Sequence, residues 1–220
     1  MDQMKRYAVY FAPRPGDFAD RAKAWLSGGQ ALPGLPRPAA EITTDPRRYG
    51  FHGTIRAPFR PGEGVDEAAI ANAVAALAAR LAPVRCDGLV LENLHGFLAL
   101  TPSGCEAALL ELGAAVVEAT NPLRAPLGPA EIARRRPESL SSRQRALLDL
   151  WGYPYVMEEF RFHLTLTDRL PEAEALPVLV ALQAYFADAL PRPFVIKDLC
   201  LFGEDAAGAF HLLHRYALTG

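Results

Sequence analysis

Apolar residues recur along the chain with two periods, near two and near three to four, and these mark out its elements. Residues 6–12 (Arg-Tyr-Ala-Val-Tyr-Phe-Ala) are rich in aromatic and β-branched types and stop at Pro13, which predicts a strand. Asp17, read as an N-cap, opens a helical stretch through Trp25 and Leu26 that stops at Gly28-Gly29. Residues 28–48 carry Gly, Pro and Thr and read as loop. Residues 51–57 form a second strand before Pro58. Ile70, Val74, Leu77 and Leu81 recur at helical spacing in the alanine-rich stretch 66–81. Residues 84–91 and 97–101 read as a hairpin turning around 93–96, and a helix follows over 105–118. Residues 121–155 break the pattern with prolines, six arginines and two short helical pieces, 129–135 and 141–151. Strict alternation returns over 160–167 and predicts a strand. A helix over 172–190 and a hairpin of 194–202 with 209–218 complete the chain.

This order is an α+β pattern. Strand, helix and hairpin occur in that sequence over 51–101 and again over 160–218, on either side of the Arg/Pro-rich insert. The repeat predicts one domain over 1–220, built as two similar lobes facing one another.

Composition narrows the setting. Half the residues are hydrophobic, 22% are charged and the net charge is -2, the profile of an ordinary globular protein. Such a balance favours a small-molecule partner over broad binding to nucleic acid or to an anionic membrane. No run of ~18 apolar residues predicts a membrane span. The first ten residues carry Asp2, Lys5 and Arg6 and lack the apolar core of a signal peptide. Cys86, Cys105 and Cys200 are odd in number and form no Cys-x-x-Cys pair. They read as buried thiols in a reducing compartment, with the cytoplasm as default.

One motif carries chemistry. His52-Gly53-Thr54 and His163-Leu164-Thr165 each open one strand, helix, hairpin unit. Residues i and i+2 of a strand share a face. His52, Thr54 and Arg56 therefore project together, as do Arg161, His163 and Thr165, while the intervening residues, mostly apolar, bury behind them. Chance supplies about 0.2 such His-x-Thr pairs in a chain of this composition. Phosphate-ester cleavage needs this set: hydroxyls and guanidinium groups around the phosphate oxygens, and two imidazoles to take and to give a proton. It calls for no metal and no other cofactor. Tyr10 and Tyr49 are candidates to line the cleft. His95 falls in a turn. His211 and His214, at strand spacing, point to opposite faces and do not make a metal pair.

The paired motifs resemble the 2H phosphoesterase superfamily, named for its two histidines. Pro46-Arg47-Arg48-Tyr49-Gly50-Phe51-His52-Gly53-Thr54, Ala57-Pro58-Phe59, Gly152-Tyr153-Pro154-Tyr155 and Phe160–Thr167 are similar to a branch of it associated with phosphonate metabolism. The resemblance implies a bilobal α+β fold, two pseudo-symmetric antiparallel-sheet lobes with helices outside and a central cleft. It implies hydrolysis of a cyclic phosphodiester on a small phosphoribosyl or nucleotide-like substrate. His52 and His163 are then catalytic, and Thr54 and Thr165 hold the phosphate, with Arg161 and Arg56 as further phosphate ligands. Gly53 stands where this family leads one to expect Ala, and Arg56 where it leads one to expect Lys. Processing of RNA 2′,3′-cyclic ends and non-catalytic binding of a phosphorylated ligand are the alternatives. The insert is either a solvated cover or a lid that grips an anionic substrate.

Overall fold

The computed structural model describes residues 4–220; the first three, Asp2 among them, lie outside the described residues. Nine strands are described: β1 (Arg6–Phe11), β2 (Gly53–Phe59), β3 (Val84–Cys86), β4 (Gly88–Leu94), β5 (Phe97–Ser103), β6 (Leu164–Thr165), β7 (Phe194–Ile196), β8 (Asp198–Glu204) and β9 (Phe210–Ala217). The helices are α1 (Asp17–Leu26), α2 (Thr44–Tyr49), α3 (Glu67–Ala78), α4 (Glu106–Thr120), α5 (Pro129–Arg134), α6 (Ser142–Trp151) and α7 (Glu172–Phe186).

Seven strands form one antiparallel sheet in the order β4-β5-β6-β2-β1-β8-β9, and β3 pairs with β7 in a second, two-stranded sheet. The sheet is two lobes in space that do not coincide with the two halves of the sequence. Strands β4-β5-β6 and β2-β1-β8-β9 meet where β6 lies against β2, joined by one residue pair, Gly53 with Leu164. The hairpin of the first half thus flanks the motif strand of the second, so the repeated units are interleaved.

Period-two patterning puts one face of this sheet in the core. Tyr7, Val9, Phe11, Ile55, Phe59, Leu98, Leu100, Leu164, Leu199 and Leu201 all pack into one cluster with residues of α1, α3, α4 and α7. Burying a large aliphatic or aromatic side chain contributes roughly 1.5–3 kcal/mol, so the alternation fixes which face meets the helices. The alternate residues, among them Arg6, Tyr10, Thr54, Phe97 and Thr165, are left to the opposite face.

Local chemistry departs from expectation at several places. Gly16, not Asp17, is the N-cap of α1, and Asp17 is its first residue. Asp66 caps α3 as its side chain accepts the Ala69 N–H at 2.8 Å. Replacing Asp66 by Ala costs about 1 kcal/mol; urea denaturation showing no loss would contradict this capping role. Strand β2 runs through Pro58, because the register against β1 slips between Tyr7 and Val9 and a bulge spares the missing N–H. Each predicted hairpin arm at 84–91 and 194–202 divides in two, and the first pieces, β3 and β7, pair with each other. Helix α7 stops at Phe186, short of 190.

The expected three buried thiols are not what the fold holds. Cys86 and Cys105 form a disulfide with Cα atoms 4.9 Å apart, while Cys200 is free and buried. The cause is the hairpin register: Gly88 faces Ser103, and two further steps outward bring Cys86 opposite Cys105. No helix among the described residues is long and apolar enough to cross a membrane.

Candidate active site

The site is built on the β2–β6 junction. Directly opposed residues of an antiparallel pair share a face, and the flanking residues share the other. With Gly53 opposite Leu164, the same register sets His52 across from Thr165 and Thr54 across from His163. All four motif side chains therefore lie on the face away from the helical core. The two histidines occupy one diagonal of this quartet, where residues stand roughly 7–8 Å apart and their Cβ atoms somewhat closer, a spacing that lets two imidazoles flank one tetrahedral phosphate.

Only Leu164 and Thr165 of the predicted strand 160–167 have ladder partners. The alternation survives without the ladder. Phe162, Leu164 and Leu166 are buried while His163 and Thr165 are half-buried. The Trp25 indole holds this segment by donating to the Leu166 carbonyl at 2.8 Å, and the Thr167 hydroxyl accepts the Leu98 N–H at 2.9 Å.

Both imidazoles are anchored in the same way. His52 Nδ1 is 2.9 Å from the Gly50 carbonyl and His163 Nδ1 is 2.8 Å from the Arg161 carbonyl, each two residues back. A carbonyl can only accept, so Nδ1 carries the proton in both rings and Nε2 is left for chemistry. The first anchor depends on Gly50, whose φ of 73° and ψ of 172° suit glycine alone. Burial pushes the His52 imidazole below its ordinary value; the Gly50 carbonyl opposes this and the charge of His163 adds to it. Burial likewise lowers His163 against the Arg161 carbonyl. The charge of one histidine is thus felt by the other. The Tyr10 ring stacks on His52 with centroids 4.0 Å apart and planes 25° apart, fixing the ring plane.

A cavity of about 430 Å³ opens on this face, with Tyr10, Tyr49, His52, Pro58, Phe97 and Thr165 among its walls. Both tyrosines chosen from the sequence line it. His163 does not itself line it but lies 5.5 Å, ring to ring, from Phe97, which does. Thr54 faces Tyr10 across β1–β2.

The two arginines expected at the phosphate are placed elsewhere. Arg161 is exposed and folds back to donate to the carbonyls of Glu158 and Phe160, at 3.0 and 2.8 Å. Arg56 shares the face of Thr54 but is 1% exposed, covered by the insert. It donates to the Trp151 carbonyl at 3.0 Å, and its Nε and Nη2 have no partner. Arg124 donates to the neighbouring Leu150 carbonyl at 3.1 Å. Two guanidinium groups therefore clamp the C-terminal carbonyls of α6, where the helix dipole is negative. Burial, with Arg124 beside it, lowers Arg56 to about 10.

The insert packs against its flanks and reaches the cavity at one arginine. Leu147 of the insert packs against Val117 of α4 and against Val156 in a small cluster, and Arg143 pairs with Glu158. Of its six arginines, only Arg135 is among the walls of the cavity. Sequence reasoning missed Arg135, together with Arg6, Asp45, Thr167, Asp168, Arg169, Phe97 and Phe210. Period two carried on from His163 and Thr165 would have reached Thr167 and Arg169, and carried back from Tyr10 would have reached Arg6. Nothing in the local pattern of Phe97 or Phe210 signals the cavity. The other histidines lie apart: His211 is 2.7 Å from Asp205, and His214 is 3.9 Å from Glu67.

A model of the family described as "Protein of unknown function (DUF1045)" matches residues 54–211. The chain belongs to this family. Two curated relatives are similar to this DUF1045 protein over nearly all of its length. One, from Janthinobacterium sp. (strain Marseille), is 37% identical over 223 residues, covering 94% of this chain and 49% of its own. The other, from Laribacter hongkongensis (strain HLHK9), is 39% identical over 220 residues, covering 96% and 51%. Both are named "Ribose 1,5-bisphosphate phosphokinase PhnN". The DUF1045 chain spans about half the length of these relatives. A solved structure described as a phosphoesterase aligns over 99% of this chain and 100% of its own, with 17% identity and a TM-score of 0.48.

Proposed function

We propose that the protein is a metal-independent phosphoesterase of the 2H type that hydrolyses a cyclic phosphodiester on a small phosphoribosyl or nucleotide-like substrate. The observation that carries this reading is the matched pair of imidazoles, each with Nδ1 bound to the carbonyl two residues back, on one face of the β2–β6 junction. One neutral imidazole takes a proton from water through Nε2 as the water oxygen attacks phosphorus. The ester P–O bond opposite breaks, and the other imidazole, protonated, gives its proton to the departing alkoxide. Water is added, a ring phosphodiester becomes a monoester with a free hydroxyl, and each histidine ends in the protonation state in which its partner began. The Thr54 and Thr165 hydroxyls donate to the phosphate oxygens as charge builds there. Each correctly placed acid or base contributes about 10²–10⁴-fold.

The relatives' printed name supports a phosphorylated ribose as the chemical neighbourhood, and a role in phosphonate metabolism is part of the same proposal. The kinase activity in that name belongs to proteins twice this length, and this chain holds no Gly-x-x-x-x-Gly-Lys-Ser/Thr stretch to cradle a nucleoside triphosphate.

The test is turnover of cyclic nucleotides and cyclic pentose phosphates in excess EDTA. Undiminished activity is expected; loss on chelation would reject the metal-free mechanism. Burial holds both imidazoles below the ordinary histidine value. The base is lost when protonated and the acid when deprotonated, and kcat/KM reports the free enzyme. The bell of kcat/KM against pH should therefore peak below about 6.5. A rate that climbs steadily through pH 8 would contradict the acid/base pair.

A further inference from the structure

The cavity wall carries guanidinium groups beyond the histidines and threonines that the first phosphate engages. Arg135 and Arg169 both line it, and neither pairs with a carboxylate among the described residues. Arg135 is held by its ring contact alone, its guanidinium 4.7 Å above the centre of the half-buried Tyr153 ring. Tyr153 follows Gly152 and the clamped end of α6, so the clamp of Arg56 and Arg124 sets where Arg135 enters. The stem of Arg169 lies over Gly96 in the β4–β5 turn, which brings its head to the cavity from the other lobe. Arg6, the third arginine of the wall, is paired with Glu204 and already neutralised. Of the two carboxylates in the wall, Asp168 is spent on the Thr44 and Asp45 N–H groups at 2.8 and 2.7 Å. Asp45 keeps its oxygens without a donor among the described residues, and a carboxylate with free oxygens accepts hydroxyls.

We infer that Arg135 and Arg169 form a second anion subsite, so that the substrate carries a further phosphate besides the one the histidines attack. This rests on the phosphoesterase reading for the first phosphate and adds the substrate class: a small polyol bearing two phosphoryl groups, its hydroxyls turned to Asp45. A cavity of about 430 Å³ lies within the roughly 300–1,000 Å³ of small-molecule sites. Guanidinium groups suit this task because their planar fork matches phosphate oxygens.

Calorimetric titration of ribose 5-phosphate and ribose 1,5-bisphosphate separates the two claims. Wild-type protein should bind the bisphosphate at least ten times more tightly. That preference should fall below about twofold in the Arg135→Met/Arg169→Met variant and in the His52→Ala/His163→Ala variant, since each lacks one of two anchors. Arg135→Lys/Arg169→Lys should keep part of it. Arg85→Met, which removes an exposed charge outside the cavity, should keep all of it. Equal affinities in the wild type, or a preference that survives loss of both arginines, would overturn the subsite. Failure of the phosphoesterase reading shows differently, as intact preference for the bisphosphate with no turnover of any cyclic ester.

Discussion

On the proposed function, replacing His52 or His163 by Ala should lower kcat/KM for a cyclic phosphodiester by about 10²–10⁴-fold, the value of one positioned acid or base. The double variant should be little worse than either single one, because groups that act in one proton relay do not contribute additively. Neither ring is a core element: both are half-buried and carry their Nε2 free. Thermal unfolding should therefore shift little, although His52→Ala also removes the stacking partner of Tyr10. An ester with a good leaving group assigns the roles. Such a group departs without protonation, so the variant lacking the acid recovers most of its rate and the variant lacking the base does not. Full activity in either single variant would remove that histidine from the chemistry.

The second large effect falls on stability. Replacing Gly53 by Val should cost about 1–3 kcal/mol, the usual penalty for overpacking a filled core, and should lower turnover as well. Even a Cβ at Gly53 would overlap the Phe162 ring, which lies against the backbone there. Gly53 also forms the one ladder pair that joins the two lobes, so a shift at this point moves His52 relative to His163. The sequence marks Gly53 only as a departure from the expected Ala. The fold explains it: the space of the missing methyl is occupied by Phe162. Trimming Phe162 to Ala beside Gly53→Val should recover part of the loss, and denaturant unfolding of both singles and the double measures the coupling. Unchanged stability in Gly53→Val would mean that the ring yields freely.

What could be read in advance divides along physical lines. Period-two patterning located the two motif strands and the face that His52, Thr54, His163 and Thr165 share, because burial of the alternate residues dictates it. The same patterning could not tell a ladder-paired strand from an extended segment. Only Leu164 and Thr165 gain partners, while Phe160–His163 runs on without them. The faces of Arg56 and Arg161 were legible, but their ends were not. A long side chain goes where acceptors are, and those acceptors are the Trp151 carbonyl of the insert for Arg56 and local carbonyls for Arg161. Arg135 reaches the cavity from a segment remote in sequence, which no local pattern encodes. The Cys86–Cys105 bridge follows from the hairpin register, a non-local fact that spacing of cysteines alone does not disclose.

A crystal structure with inorganic phosphate or vanadate tests the central claim most directly. The account predicts one anion between the two Nε2 atoms, within hydrogen-bonding distance of both and of the Thr54 and Thr165 hydroxyls. An anion that engages one imidazole alone, or that settles elsewhere while both rings stay empty, would contradict it.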